Sequence, residues 1–523
     1  MKIKKMILAS MLLNSIAVQA DIKPATLFNS KMVIQRDTQA PIWGKADAGE
    51  KVLVKASWGA QAETTADKNG KWMVKLATPN AGGPHSISLE GKNKITLNDV
   101  LSGDVWLCSG QSNMEWRVQA LKGSQKDIES ANYPEIRHFK ARNTPSPRPL
   151  DDNYGDWQIC TPQNVRNFSA TGYFFAREIY KNEKIPLGIL SINWGGTRIE
   201  PWITPAGFHM VPELKNLANQ VDAVNPQTKS GNAAFKKYIA EMKVWIAESE
   251  TSLNNMEVLS DAPKLPSLGS SHQSPTYLYN GMIHPIVPAA LKGILWYQGE
   301  SNGHEGVTYY HKMQALIKGW RKTFQQADLP FYYVQLANFQ KSDPNNAAGG
   351  DGWARHRQAQ LDSLQIENTG MAVIIDVGEA NDIHPRNKQD VGKRLAQWAL
   401  AKDYGHKDIV YSGPLFKDMK VEGNKAIVSF EHLGSGLMSA YKVGEAFPKE
   451  LTSNKLNWAS IKDSDNQWYK AEAIIQGDKV VFSNAKVSSP KGVRYAYYMN
   501  PEGANLYNKE GLPASPFTFE VAQ

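Results

Sequence analysis

The segment Val105-Trp106-Leu107-Cys108-Ser109-Gly110-Gln111-Ser112-Asn113-Met114-Glu115-Trp116 sets a serine just past an apolar run and a glycine. Gly110 permits a sharp turn, and Ser112 falls where a helix can begin. In open α/β sheets that is the carboxyl edge of a strand, where binding and catalytic groups collect. Free backbone N–H groups at such a turn can meet a developing oxyanion. The same spacing also suits a serine that only caps a helix.

A serine hydroxyl needs a base to act as a nucleophile at neutral pH. Of eleven histidines, His384 is the best placed, in the loop Glu379-Ala380-Asn381-Asp382-Ile383-His384-Pro385. That loop follows the strand expected at Ala372–Asp376, and Pro385 suits the first turn of a helix. His284, in Asn280-Gly281-Met282-Ile283-His284-Pro285, is the rival, but it precedes a core strand instead of following one. Two more strand ends carry polar or glycine-rich loops. Asn193-Trp194-Gly195-Gly196-Thr197-Arg198 allows the backbone to approach a ligand closely. Trp296-Tyr297-Gln298-Gly299-Glu300-Ser301-Asn302 offers a side-chain N–H from Gln298 or Asn302. Each loop alone reads equally as a tight turn; four such motifs at strand ends point to one site.

These blocks resemble the SGNH-type hydrolases, and within them the sialate O-acetylesterase family. The pieces that match are Gly110–Trp116, Gly195-Gly196-Thr197, Trp296–Asn302 and Asp382-Ile383-His384-Pro385, over roughly residues 100–405. The resemblance implies a three-layer α/β/α domain with a parallel sheet. It also implies a Ser/His esterase that acts on O-acetylated sugars without a metal or organic cofactor. Ser112 is then the nucleophile and His384 the base, with the Ser112 amide, Gly196 and Gln298 forming the oxyanion hole. One departure stands out. The triad acid of SGNH enzymes typically lies three residues before the histidine, which is Asn381 here, whereas Asp382 lies two before. Either Asp382 serves as the acid from a shifted loop, or the site is a dyad with Asn381 or a backbone carbonyl holding the imidazole. Arg198 and Asn302 are expected to bind substrate, Arg198 through an acidic sugar's carboxylate; a structural ion pair with Glu200 competes with that role. Trp194, Trp202 and Trp296 suit either sugar stacking or the core.

The elements that must hold these loops are legible as hydrophobic periodicity. Val105–Cys108, Ile189–Asn193, Gly293–Tyr297, Phe331–Leu336 and Ala372–Asp376 are near-continuous apolar runs, as a parallel sheet covered on both faces demands. Helical stretches at Gly172–Asn182 and Val307–Phe324 lie between them. Past His384, Val391, Leu395 and Ala399 recur every four residues toward a glycine cap at Gly405. Residues 206–275 interrupt the alternation as a helical insertion over the active-site face. Flanking β-sandwich-like modules are expected at 21–100 and 407–523, from alternation such as Lys51–Ala56, Trp72–Leu76, Lys425–Phe430 and Lys479–Phe482. The catalytic domain is then 101–406.

Residues 1–20 read as a signal peptide: Lys2, Lys4 and Lys5, an apolar stretch Met6–Val18, then Val18-Gln19-Ala20. The expectation is a secreted or periplasmic protein with no membrane anchor. The formal charge is +8, or +5 without those three lysines, and no Lys/Arg block marks a nucleic-acid partner. With two cysteines, Cys108 and Cys160, a cysteine-rich zinc cage is excluded, and two buried thiols are favoured over a bridge. A non-catalytic glycan-binding protein and an esterase of other acetylated glycans, such as xylan, are the competing functions. Nothing in the sequence specifies an oligomeric state.

Overall fold

The structure, a computed structural model, describes residues 21–521; the signal-peptide expectation lies outside them. A mixed sheet organises the molecule, with the order 155–160, 133–141, 187–193, 94–110, 293–297, 331–334 and 369–372 along its main path. All neighbours are parallel except the edge strand Gly155–Cys160, which runs antiparallel to Tyr133–Ala141. The central strand Lys94–Gly110 has Leu187–Asn193 on one side and Gly293–Tyr297 on the other. From that strand the chain passes to Tyr133–Ala141 and the edge strand, returns as Leu187–Asn193 beside the centre, and then steps outward on the other side. The direction of winding changes at the central strand, and in open sheets the carboxyl end of such a strand is where sites collect.

Alternate residues of the central strand feed two cores, as a strand's two-residue period requires. Trp106 and Cys108 pack with Phe175, Leu395 and Ala399, from the helices Ala170–Glu183 and Lys388–Asp403 on one face. Val105 and Leu107 join Trp296, Leu316 and Trp320, the last two from the helix Val307–Phe324 on the other face. Val391, Leu395 and Ala399 are all fully buried, so the four-residue repeat marks the packed face of its helix.

Three expectations change in detail. The last strand is Thr369–Ala372, and residues 373–376 lie beyond its pairing, with Val373, Ile374 and Ile375 still buried. The helix after His384 starts at Lys388 behind an Asn387 cap, whose side chain accepts the Asp390 N–H; Pro385 lies in the preceding loop. The expected boundary at residue 100 falls inside one continuous strand, Lys94–Gly110. Its first half pairs with Gly82–Glu90 and with Val33–Gln35, and its second half is the centre of the parallel sheet. The N-terminal module thus grows out of the parallel sheet by shared hydrogen bonds.

The C-terminal residues form small antiparallel sheets around a separate core containing Val428, Ile461, Phe482 and Tyr495. Arg357 fastens them to the α/β unit. Its fully buried guanidinium donates to the carbonyls of Leu336 and Ala337 on one side, and of Tyr498 and Met499 on the other. Within the insertion, the helix Lys229–Asn254 is mostly exposed, and the chain returns at residues 271–273 to the Gly195-Gly196 loop. Cys108 and Cys160 are buried and unbridged. Among the described residues, no helix is long and apolar enough to cross a membrane.

Candidate active site

Ser112 opens a four-residue helix, Ser112–Glu115, directly after the central strand. Gly110 makes the turn possible. Its φ is +135°, and a Cβ there would stand 2.1 Å from the Tyr297 carbonyl oxygen. No side chain fits that approach, so the strand can turn sharply only on glycine.

The loop after the last parallel strand brings His384 across this turn. His384 Nε2 lies 3.0 Å from Ser112 Oγ, and His384 Nδ1 lies 3.2 Å from Asp382 Oδ1. The two-residue spacing closes because Asp382 Oδ1 also accepts the backbone N–H of His384, at 2.9 Å. The carboxylate is thus folded back over its own loop. Arg386 holds the second oxygen, with 2.8 Å between Nη2 and Asp382 Oδ2. Asn381 is exposed and makes no hydrogen bond to the imidazole. The rival His284 points its Nδ1 at the Leu150 carbonyl, 2.8 Å away, and lines a cleft against the N-terminal module.

Burial lowers the His384 pKa below its ordinary value, against the opposing pull of Asp382. For Asp382, burial resists ionisation, but Arg386, the His384 backbone N–H and the His384 charge outweigh it; the carboxyl titrates below the usual range. The pair is poised with a neutral imidazole and an ionised acid. Under the nucleophile, Asn113 ties three loops together. Its Nδ2 donates to Glu300 and, at 3.0 Å, to the carbonyl of Ile383, the residue before His384; its Oδ1 accepts from Lys388 Nζ. Lys388 is fully buried, and that burial pushes its ammonium down to about 7. Desolvation raises the Glu300 pKa in the same network.

The glycine loop comes to the other side of Ser112. Gly195 donates its N–H to Glu115 Oε2 at 2.7 Å, and Gly196 takes a left-handed φ of +73°. Neither the Gly196 nor the Ser112 N–H donates to another described residue. Gln273, from the end of the insertion, clamps the loop: its Nε2 donates to the Gly196 carbonyl at 2.7 Å, and its Oε1 accepts the Arg198 N–H at 2.9 Å. His272 beside it stacks on Trp194, with ring centroids 4.7 Å apart.

Three sequence expectations meet a different geometry here. Gln298 is fully buried and donates to the Thr197 carbonyl at 3.1 Å and to Asn302 Oδ1 at 2.9 Å, while its carbonyl accepts from Tyr309. Both amide hydrogens are committed, so Gln298 has none for an oxyanion and instead braces the glycine loop from below. Asn302 spends its own donors on Glu200 and Glu305, at 3.1 and 2.9 Å, and has none left for substrate. Arg198 is held by Glu200 and Glu305, which also grip the buried Lys312. Its charge is matched inside the protein, which is the structural pairing weighed against substrate binding. Trp202 and Trp296 belong to the core.

Trp116, Arg386, Asn113 and Gln273 are the contacts that sequence reasoning did not single out. Trp116 and Asn113 lie within the serine block, and Arg386 follows Asp382 by four residues. Gln273 has no such signal, being distant in sequence and in an irregular segment. Among the described residues, no group of three or more His, Cys, Asp or Glu side chains is arranged to hold a metal ion.

The hydrogen-bonded Ser112, His384 and Asp382 are an arrangement that can activate a serine hydroxyl. A family model described as carbohydrate esterase, sialic acid-specific acetylesterase, matches residues 102–259 and 266–401. The sialate O-acetylesterase of Rattus norvegicus is 28% identical over 551 residues, covering 95% of this chain and 94% of its own. That of Homo sapiens is 28% identical over 446 residues, with 78% and 76% covered. Among solved structures, a carbohydrate acetylesterase from Xanthomonas citri superposes with a TM-score of 0.77 at 33% identity, over 96% of this chain and 100% of that one. The chain belongs to the sialic acid-specific acetylesterase family of carbohydrate esterases, a family of carboxylic ester hydrolases.

Proposed function

We propose that this enzyme removes O-acetyl groups from sugars, sialic acids foremost, with Ser112 as nucleophile, His384 as general base and Asp382 as the acid that orients it. One observation carries the reading: the hydrogen-bonded chain from Ser112 Oγ through both ring nitrogens of His384 to Asp382 Oδ1.

The chemistry follows from that chain. Ser112 Oγ attacks the acetyl carbonyl carbon as its proton passes to His384 Nε2. Asp382 fixes the tautomer with the proton on Nδ1 and steadies the imidazolium. The N–H groups of Ser112 and Gly196, which have no acceptor within the described protein, are the donors for the oxyanion. The intermediate collapses, the ester C–O bond breaks, and His384 gives its proton to the departing sugar oxygen, which leaves as a hydroxyl. Water then attacks the acetyl-enzyme with His384 again as base, releasing acetate and restoring Ser112. Residues of the chain carry every proton, so the mechanism calls on no metal or organic cofactor.

The same chemistry on neutral acetylated glycans is the second reading. It is favoured by the 33% identity to the Xanthomonas citri enzyme, a carbohydrate acetylesterase. We also propose export, because Lys2, Lys4 and Lys5 precede an apolar stretch ending at Val18-Gln19-Ala20; Edman sequencing of the secreted protein would then begin near Asp21. The test of the esterase is turnover of 4-nitrophenyl acetate, an acetylated sialic acid and acetylated xylan by the wild-type enzyme and Ser112→Ala. The variant should lose at least a thousandfold in kcat; retention of a tenth of wild-type kcat would remove Ser112 from the reading.

A further inference from the structure

Beside the nucleophile helix, at the carboxyl ends of the strands Tyr133–Ala141 and Leu187–Asn193, lies a polar cleft of about 210 Å³. Glu115, Arg117, His138, Lys140, Gln158 and Ser169 line it. It shares a wall with the site. Glu115 Oε2 accepts the Gly195 N–H, and Gly195 lies so close to the nucleophile that a Cβ on it would stand 3.3 Å from Ser112 Cβ.

The charges in this cleft do not cancel. Glu115 is met by the Gly195 N–H at 2.7 Å, by Lys140 Nζ at 3.5 Å and by Asn143 Nδ2 at 3.4 Å. That leaves Arg117, whose guanidinium is exposed and contacts Asn167 Oδ1 at 3.4 Å, with no carboxylate in ion-pair reach among the described residues. Arg198 and Arg386, by contrast, already hold carboxylates. Lys140 Nζ binds the Asn193 side-chain oxygen at 2.7 Å. Burial lowers the Lys140 pKa, Glu115 opposes this, and the nearby Arg117 lowers it further by like-charge repulsion. A bound anion would relieve that repulsion. His138 is driven down to about 3 by burial and stays neutral. Ser169 caps the fourteen-residue helix Ala170–Glu183, whose positive end also borders the cleft.

We infer that this cleft is the subsite for the carboxylate of an acidic sugar, with Arg117 as its charged donor and Lys140 as the second cation. The inference rests on the esterase reading and deepens it. A sugar whose acetyl group is at Ser112 and whose carboxylate enters this cleft is selected over a neutral one, and Arg117 takes the role that the Arg198 pairing leaves vacant. Glu115 stands between the cleft and the nucleophile, fixing the glycine loop with one oxygen and meeting Lys140 and Asn143 with the other.

The test is steady-state kinetics of the full chain on O-acetylated N-acetylneuraminic acid and on its C1 carboxamide, with 4-nitrophenyl acetate as a probe that carries no carboxylate. Wild type should show a KM at least tenfold lower for the acid than for the amide, with kcat for the two within twofold. Arg117→Gln should erase that difference by raising KM for the acid, and Arg117→Lys should restore part of it. Equal KM values for acid and amide in an enzyme that turns over 4-nitrophenyl acetate overturn the subsite and leave the esterase reading intact. An unchanged preference in Arg117→Gln overturns it too. Failure of wild type to hydrolyse any of the three removes the esterase reading, and this proposal with it.

Discussion

The indole of Trp116 lies flat against the imidazole of His384, with ring centroids 4.9 Å apart and planes inclined by 21°. The Arg386 guanidinium sits 4.6 Å from the centroid of the same indole, and its Nη2 grips Asp382. Asp382, His384, Trp116 and Arg386 therefore form a closed ring of contacts, and each fixes the orientation of the next. Asp382 needs this bracing, since its spacing from His384 leaves the loop free to present the carboxylate elsewhere.

Replacing Trp116 with leucine should remove one side of that ring. Stacked aromatic pairs are worth about 1 kcal/mol beyond their buried area, so kcat should fall by about fivefold. The lost cover should also rehydrate the imidazole and move the acid limb of kcat/KM to higher pH. An unchanged limb in Trp116→Leu, measured across pH 4 to 8, would show that the indole is not what desolvates His384.

Asp382→Asn decides between triad and dyad. If Asp382 supplies the anionic partner and sets the tautomer, kcat should fall by about three to four orders of magnitude. Asn381→Ala, at an exposed position without contact to the ring, should cost less than threefold. A loss below tenfold in Asp382→Asn assigns the imidazole to another acceptor and rejects the triad.

The pH dependence of the wild-type enzyme follows from the direction of the His384 shift. The base works when neutral, so kcat/KM should rise with pH as His384 loses its proton. Burial depresses that pKa, so the midpoint should lie below ~6.5, the value of a free imidazole. A midpoint above 6.5 in a full kcat/KM profile would contradict the environment described for His384.

Two other histidines make stability depend on acid. His138 and His356 are buried, and desolvation drives both down to about 3. In the unfolded chain each binds a proton near ~6.5. Between those values the unfolded state carries more protons, so stability is whole above neutrality and is lost as pH falls toward 3. Each histidine contributes a slope of about 1.4 kcal/mol per pH unit in that window. Urea titrations at pH 6 and pH 5 should therefore differ by about 2 to 3 kcal/mol. A difference of half that size would mean that one ring is protonated in the folded protein, and equal midpoints that both are.

Periodicity and turn chemistry are local properties, and by themselves they determined most of the framework. The strand into Gly110, the helix Val307–Phe324, the four-residue repeat after His384 and the loops that converge on Ser112 are written in short stretches of sequence. The choice of His384 over His284 followed from which side of a strand each lies on. Only the tertiary structure decided how the converging loops use their polar groups. Gln298 and Asn302 carry the right donors in the right block, yet buried donors must be satisfied, and Thr197, Glu200 and Glu305 claim them first. The partners come from segments up to about a hundred residues away, which no local pattern encodes. For the same reason the sequence left Asp382 undecided: its reach to His384 depends on a backbone N–H, a guanidinium and an indole that meet only after the loop has packed onto the nucleophile helix. The join at residue 100 was invisible because a change of texture marks a change of environment. It does not mark a break in the chain's hydrogen bonding, and one strand serves both sheets.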